Sequence, residues 1–126
     1  MEIRERQLGE LMVVELTGRL TVNDKPGVLK EAVAGAIAKG ARHVVLDLAG
    51  VRYIDSTRLG ELIAAHITVT RQGGKLKLVA TPDRVCELLR MAGLDTVFEQ
   101  FATTEDAARS LRPSQKFEVR SSKFEV

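Results

Sequence analysis

Cysteine, histidine and aromatic residues are scarce in this chain of 126 residues, and each shortage removes a class of chemistry. The single cysteine, Cys86, excludes an intramolecular disulfide and a cysteine-cluster metal site, and it fits a reducing compartment. Four Phe, one Tyr and no Trp leave few platforms on which bases could stack. Nineteen Lys and Arg against 17 Asp and Glu give a net charge of +2, too small for a nucleic-acid footprint in the absence of a basic run. No apolar run approaches the ~20 residues that span a bilayer. The opening Met1-Glu2-Ile3-Arg4-Glu5-Arg6 is charged where a secretory leader is apolar. Also missing are the GxxxxGK[ST] phosphate loop, GxGxxG, the GxSxG elbow and HExxH. The expectation is a cytoplasmic protein that is not an enzyme, with no catalytic residue, no metal or other cofactor, no direct nucleic-acid contact and no membrane insertion.

What is present is the periodicity of one α/β domain. Ile3 alternates with charged neighbours, and after Gly9-Glu10 the β-rich run Leu11-Met12-Val13-Val14-Glu15-Leu16 predicts a second strand joined to the first by a tight turn. From Pro26 to Lys39 the apolar positions Leu29, Val33 and Ile37, with Ala32 and Ala36, fall at helical spacing and stop at Gly40. His43-Val44-Val45-Leu46-Asp47-Leu48 is too continuously apolar for a strand with one wet face, so it reads as a central, parallel strand. Helical spacing returns in Leu59, Leu62, Ile63, His66 and Ile67, which predicts a helix from about Thr57 to Arg71, ended by Gly73-Gly74. Lys75 to Val79 alternates as a strand, and Pro82 opens a helix bearing Val85, Leu88 and Leu89 that Gly93 ends. A last helix begins near Thr103 or Thr104 and runs to about Leu111, with a short strand expected at Thr96-Val97-Phe98. The order ββαβαβαα predicts a mostly parallel central sheet covered by helices. Residues 1–112 form the domain, and 113–126, which repeats Lys-Phe-Glu-Val, reads as a flexible or appended C-terminal tail.

Few side chains are candidates for chemistry. His43 begins a buried strand and His66 lies near an apolar helix face, so both read as structural, and Cys86, between Val85 and Leu88-Leu89, reads as a small core residue. The segment Tyr53-Ile54-Asp55-Ser56-Thr57-Arg58 differs, because it puts adjacent hydroxyls where an extended run becomes a helix. One role is a simple cap, in which Asp55 or Ser56 accepts a bond from a backbone N–H left over at the helix start. The other is a charge switch. A phosphate there adds about −1.5 to −2 charges, sits well on its own helix dipole, and repels an acidic or apolar partner surface.

The order of elements, the stretch His43 to Val51 and the Tyr53-Ile54-Asp55-Ser56-Thr57 run together resemble the STAS domain of bacterial anti-sigma factor antagonists. Gly18-Arg19-Leu20, Leu59-Gly60, Gln72-Gly73-Gly74-Lys75-Leu76-Lys77-Leu78 and Met91-Ala92-Gly93-Leu94 fall in the family's order as well, so that the resemblance covers about residues 1–112. It implies a protein-binding switch. In the family, the unphosphorylated antagonist binds an anti-sigma factor that is also a serine kinase, the kinase phosphorylates the antagonist, and a serine phosphatase of the metal-dependent class resets it. Carried onto this chain, Ser56 is the phospho-acceptor and Thr57 the second choice. Asp55, Ser56, Thr57, Arg58, Leu59, Glu61 and Leu62, with Thr21 and Asp24, make up the implied partner surface. Two positions depart from the pattern. Arg58 stands where glycine is usual, as a long cation that either blocks close approach or holds a phosphate. Thr21 stands where an acidic residue usually follows Gly-x-Leu, with Asp24 three residues on. The alternative function is a non-switching STAS assembly module in a stress-sensing or lipid-transport complex.

Overall fold

Residue by residue, the longest apolar stretches supply the centre of the sheet. The computed structural model describes residues 2–20 and 27–111, with strands β1 (Glu2–Leu8), β2 (Leu11–Leu20), β3 (His43–Ile54), β4 (Leu76–Val79) and β5 (Gln100–Phe101). They form one sheet in the order β1-β2-β3-β4-β5. The β1–β2 hairpin is antiparallel and every other pairing is parallel. The helices are α1 (Val28–Ala38), α2 (Ser56–Arg71), α3 (Asp83–Met91) and α4 (Thr104–Ser110). No helix among the described residues is long and apolar enough to cross a membrane.

Because side chains alternate along a strand, β3 feeds two cores. Val44, Leu46 and Leu48 join Met12, Val14, Leu16 and Leu78 under α1, α2 and α3, which contribute Leu29, Val33, Leu62, Val69, Val85 and Leu89. On the other face Val45 meets Leu11, Val13, Val79 and Ala107 of α4. The continuous apolar run of the sequence is thus a strand buried on both sides, as expected of a central parallel strand.

Four sequence expectations need correction. The strand does not end at Leu48 but continues to Ile54 across a bulge. Glu15 pairs with Asp47 and Thr17 with Gly50, so β3 carries one residue more than β2 over that interval. The Asp47 side chain accepts from the Ala49 N–H at 3.0 Å and closes the bulge. Gly50 is required where it stands, since a Cβ there would lie 2.9 Å from Thr17 Oγ1 and 3.2 Å from the Leu16 carbonyl. The short strand expected at Thr96–Phe98 is instead β5 at Gln100–Phe101, because Phe98 is buried as a plug of the larger core and the preceding residues turn on the Leu94 carbonyl. The first helix begins at Val28, after a left-handed Gly27, and Pro26 lies outside the described residues, as does the 113–126 tail. Cys86 is half-buried at the core's margin, its thiol within 3.2 Å of Gln100 Oε1, and burial pushes its pKa up.

His43 is structural. Its Nδ1 accepts the Lys75 N–H at 3.0 Å, and burial, helped by the Arg42 charge, holds its pKa below the usual imidazole range. Below pH ~6.5 the unfolded chain therefore binds a proton that the folded chain resists, so stability falls as the pH drops through that range. Melting curves between pH 7.5 and 5 should show a steeper loss for the wild type than for His43→Gln; parallel losses contradict this assignment. Leu46 is fully buried, and Leu46→Ala should cost about 2–5 kcal/mol in denaturant unfolding through the cavity it leaves. A loss under about 1 kcal/mol contradicts the central position of β3.

Candidate functional site

The bulge in β3 sets the geometry of its C-terminal end. Beyond it, Val51 and Ile54 face the larger core, and the buried Ile54 anchors the chain just before it turns into α2. Asp55 is extended (φ −95°, ψ 175°) and caps the helix, its Oδ1 accepting the Arg58 N–H at 2.9 Å. Its carbonyl accepts the Leu59 N–H at 2.9 Å. Ser56 is the first helical residue and is exposed, as is Thr57. Between the two roles open to Asp55 and Ser56, the cap falls to Asp55, and the Ser56 hydroxyl is presented outward. The first-turn N–H groups and the positive end of the helix dipole favour an anion there by about 0.3–1 kcal/mol.

The rest of α2 divides by its face. Leu62, Ala65 and Val69 are buried, while Leu59 and Ile63 pack partly against the same core. Leu62 is 1% and Arg58 2% exposed, so neither is part of an open surface. For Arg58 this corrects both expectations of an outward cation. Its guanidinium is paired with the Glu61 carboxylate, and the same Glu61 Oε2 accepts the Gly27 N–H at the start of α1 at 3.2 Å. The exposed part of the expected surface is Ser56 and Thr57, with Asp55, Leu59 and Glu61 half-buried around them. Thr21 and Asp24 lie outside the described residues.

Two neighbours of this turn are invisible to motif reading. The Arg84 guanidinium, in the first turn of α3, stacks over the Tyr53 ring at 5.7 Å and joins the two elements beside the Asp55 cap. The Gly27–Glu61 bond ties the α1 start to α2. Both are tertiary contacts between residues 31 and 34 positions apart. No local signal in the sequence points to either.

A sheet of this order, with a helix whose capped start carries an exposed serine at the end of the central strand, defines a small α/β domain of the STAS type. The STAS domain family model matches residues 2–108, and the chain belongs to that family. The anti-sigma-B factor antagonist of Bacillus subtilis (strain 168) is 33% identical over 92 residues, covering 73% of this chain and 83% of the relative. Among solved structures, an anti-sigma factor antagonist from Mycobacterium paratuberculosis superposes with a TM-score of 0.76 at 22% identity, over 88% of this chain and 93% of that one. The Bacillus cell fate determinant SpoIIAA in its phosphorylated form superposes with a TM-score of 0.65 at 16% identity, over 88% of this chain and 100% of that one. These structural likenesses carry the fold.

Since Asp55 makes the cap bond, Asp55→Ala should lower stability by about 0.5–2 kcal/mol. Ser56→Ala should change it by no more than about 0.5 kcal/mol, as an exposed substitution that breaks no such bond. Denaturant unfolding of the two variants checks the division of labour. The reverse ranking contradicts it.

Proposed function

We propose that this chain is an anti-sigma factor antagonist that binds an anti-sigma factor of the serine-kinase type through the Ser56 end of α2, and that phosphorylation of Ser56 releases it. A serine phosphatase of the metal-dependent class restores the binding form. The observation that carries this reading is the exposed Ser56 hydroxyl at the first position of a helix already capped by Asp55. The relatives named anti-sigma-B factor antagonist and the phosphorylated SpoIIAA structure support it.

The physics of the switch follows from that position. A phosphate on Ser56 meets the positive end of its own helix, so the domain keeps its fold. The same charge inside a partly desolvated interface lacks a counter-ion and can cost several kcal/mol. Arg58 does not supply that counter-ion, because its guanidinium is buried on Glu61. Recognition is lost while folding is retained.

The test is calorimetric titration of a purified serine-kinase anti-sigma factor from the genome that encodes this chain. Ser56→Asp should weaken binding at least about tenfold, or about 1.4 kcal/mol, with an unchanged melting temperature. Ser56→Ala should bind as the wild type does and accept no phosphate. Equal affinity for wild type, Ser56→Ala and Ser56→Asp contradicts the reading.

A further inference from the structure

Arg58 heads the fully buried side chains of the described residues by volume, yet it stands two positions from an exposed serine on a surface helix. A guanidinium inside a protein needs an anion, and Glu61 provides it one turn further along α2. Glu61 also reaches another element, since its Oε2 accepts the Gly27 N–H at 3.2 Å. Gly27 is the N-cap of α1, in a left-handed conformation (φ 81°), and its helix start has no side-chain cap of its own. The carboxylate of α2 therefore holds the N–H of the N-cap residue itself, the bond that a Glu or Gln three residues into a helix makes in a capping box and that Lys30 at that position cannot make. Its second oxygen, Oε1, is buried and has no partner among the described residues, so holding the carboxylate in this place carries a desolvation cost.

We infer that Glu61 is a positioning residue for partner binding: with Arg58 it clamps the start of α1 to the Ser56 turn of α2, so that a partner meets the two segments in one fixed relation. This rests on the reading of the Ser56 turn as the docking surface. The helices already pack through apolar side chains such as Leu29, Val33, Leu62 and Val69. A buried ion pair adds little net stability to such packing, because desolvation offsets its attraction. What the pair contributes is direction. The Glu61 oxygen fixes where the Gly27 N–H points, which apolar contact does not.

The decisive comparison uses two double variants that differ only in the acceptor offered to Gly27. Arg58→Met with Glu61→Leu removes the charges and the acceptor together. Arg58→Met with Glu61→Gln removes the charges but leaves an amide oxygen within reach of the Gly27 N–H. The Leu form should melt at or above the wild-type temperature, as apolar replacements of buried pairs do, and the Gln form, which buries an amide N–H group, should melt below the Leu form. In the Leu form the Gly27 amide should exchange with solvent at least about tenfold faster than in the wild type, with mid-helix α2 amides unchanged. In the same calorimetric titration its affinity should fall about fivefold or more, and the Gln form should restore both amide protection and affinity. Indistinguishable affinities for the Leu and Gln forms, with Ser56→Asp still impaired, overturn the clamp and leave the switch standing. If Ser56→Asp also binds like the wild type, the docking surface itself is misplaced, and the positioning role falls with it. The wild type alone provides a check that needs no variant: Gly27 exchanging at the rate of a solvated amide overturns the clamp.

Discussion

The burial of β3 on both faces is the constraint on which the rest of this structure depends. One row of its side chains holds the core shared with α1, α2 and α3, and the other holds the smaller core under α4. A strand locked in this way cannot slip by one residue without turning apolar side chains out of both cores. The bulge closed by Asp47 and Ala49 is the first adjustment in register, allowed by Gly50, which leaves room for Thr17, and a second follows where Gly18 pairs with Val51 and Arg19 with Tyr53. As a result Ile54 is fixed in the core and Asp55 in the position of a cap.

That rigidity suits the proposed switch at Ser56, a change of charge on a fixed surface. The Ser56 hydroxyl needs neither a general base nor a metal from its own chain if another protein supplies the transfer, and what the domain must provide is presentation. Presentation comes from the capped helix start, the buried Ile54 behind it and the Tyr53–Arg84 stack beside it. A helix N-terminus also tolerates an added phosphate, so the modification proposed here would act on recognition and spare the fold.

Much of this was legible in the sequence because the apolar spacing is regular. Leu29, Ala32, Val33 and Ala36 predict α1, and Leu59, Leu62, Ile63 and His66 predict α2, although Ile67 of the same expected stripe is exposed and Val69, outside it, is buried. The Asp55-Ser56 helix start is legible for a local reason, as capping depends on residues within one turn of each other. The continuation of β3 was not legible, since Ala49-Gly50 looks like a strand ending until Thr17 is seen to pack against it. Nor was the burial of Arg58. An arginine next to Ser-Thr reads as surface, and only the Glu61 carboxylate and the α1 start show why it turns inward. β5 was misplaced because Phe98 has strand-like composition, while its role is to fill the core.

The central claim is that one hydroxyl controls association without disturbing the fold. Incubation of the chain with the serine-kinase anti-sigma factor and ATP, followed by site mapping by mass spectrometry and gel filtration of the products, tests it most directly. The account predicts phosphate on Ser56, elution of the phosphorylated chain free of the kinase, and an unchanged melting temperature. Phosphate confined to another residue, or a Ser56-phosphorylated chain that stays bound to the kinase, would contradict it.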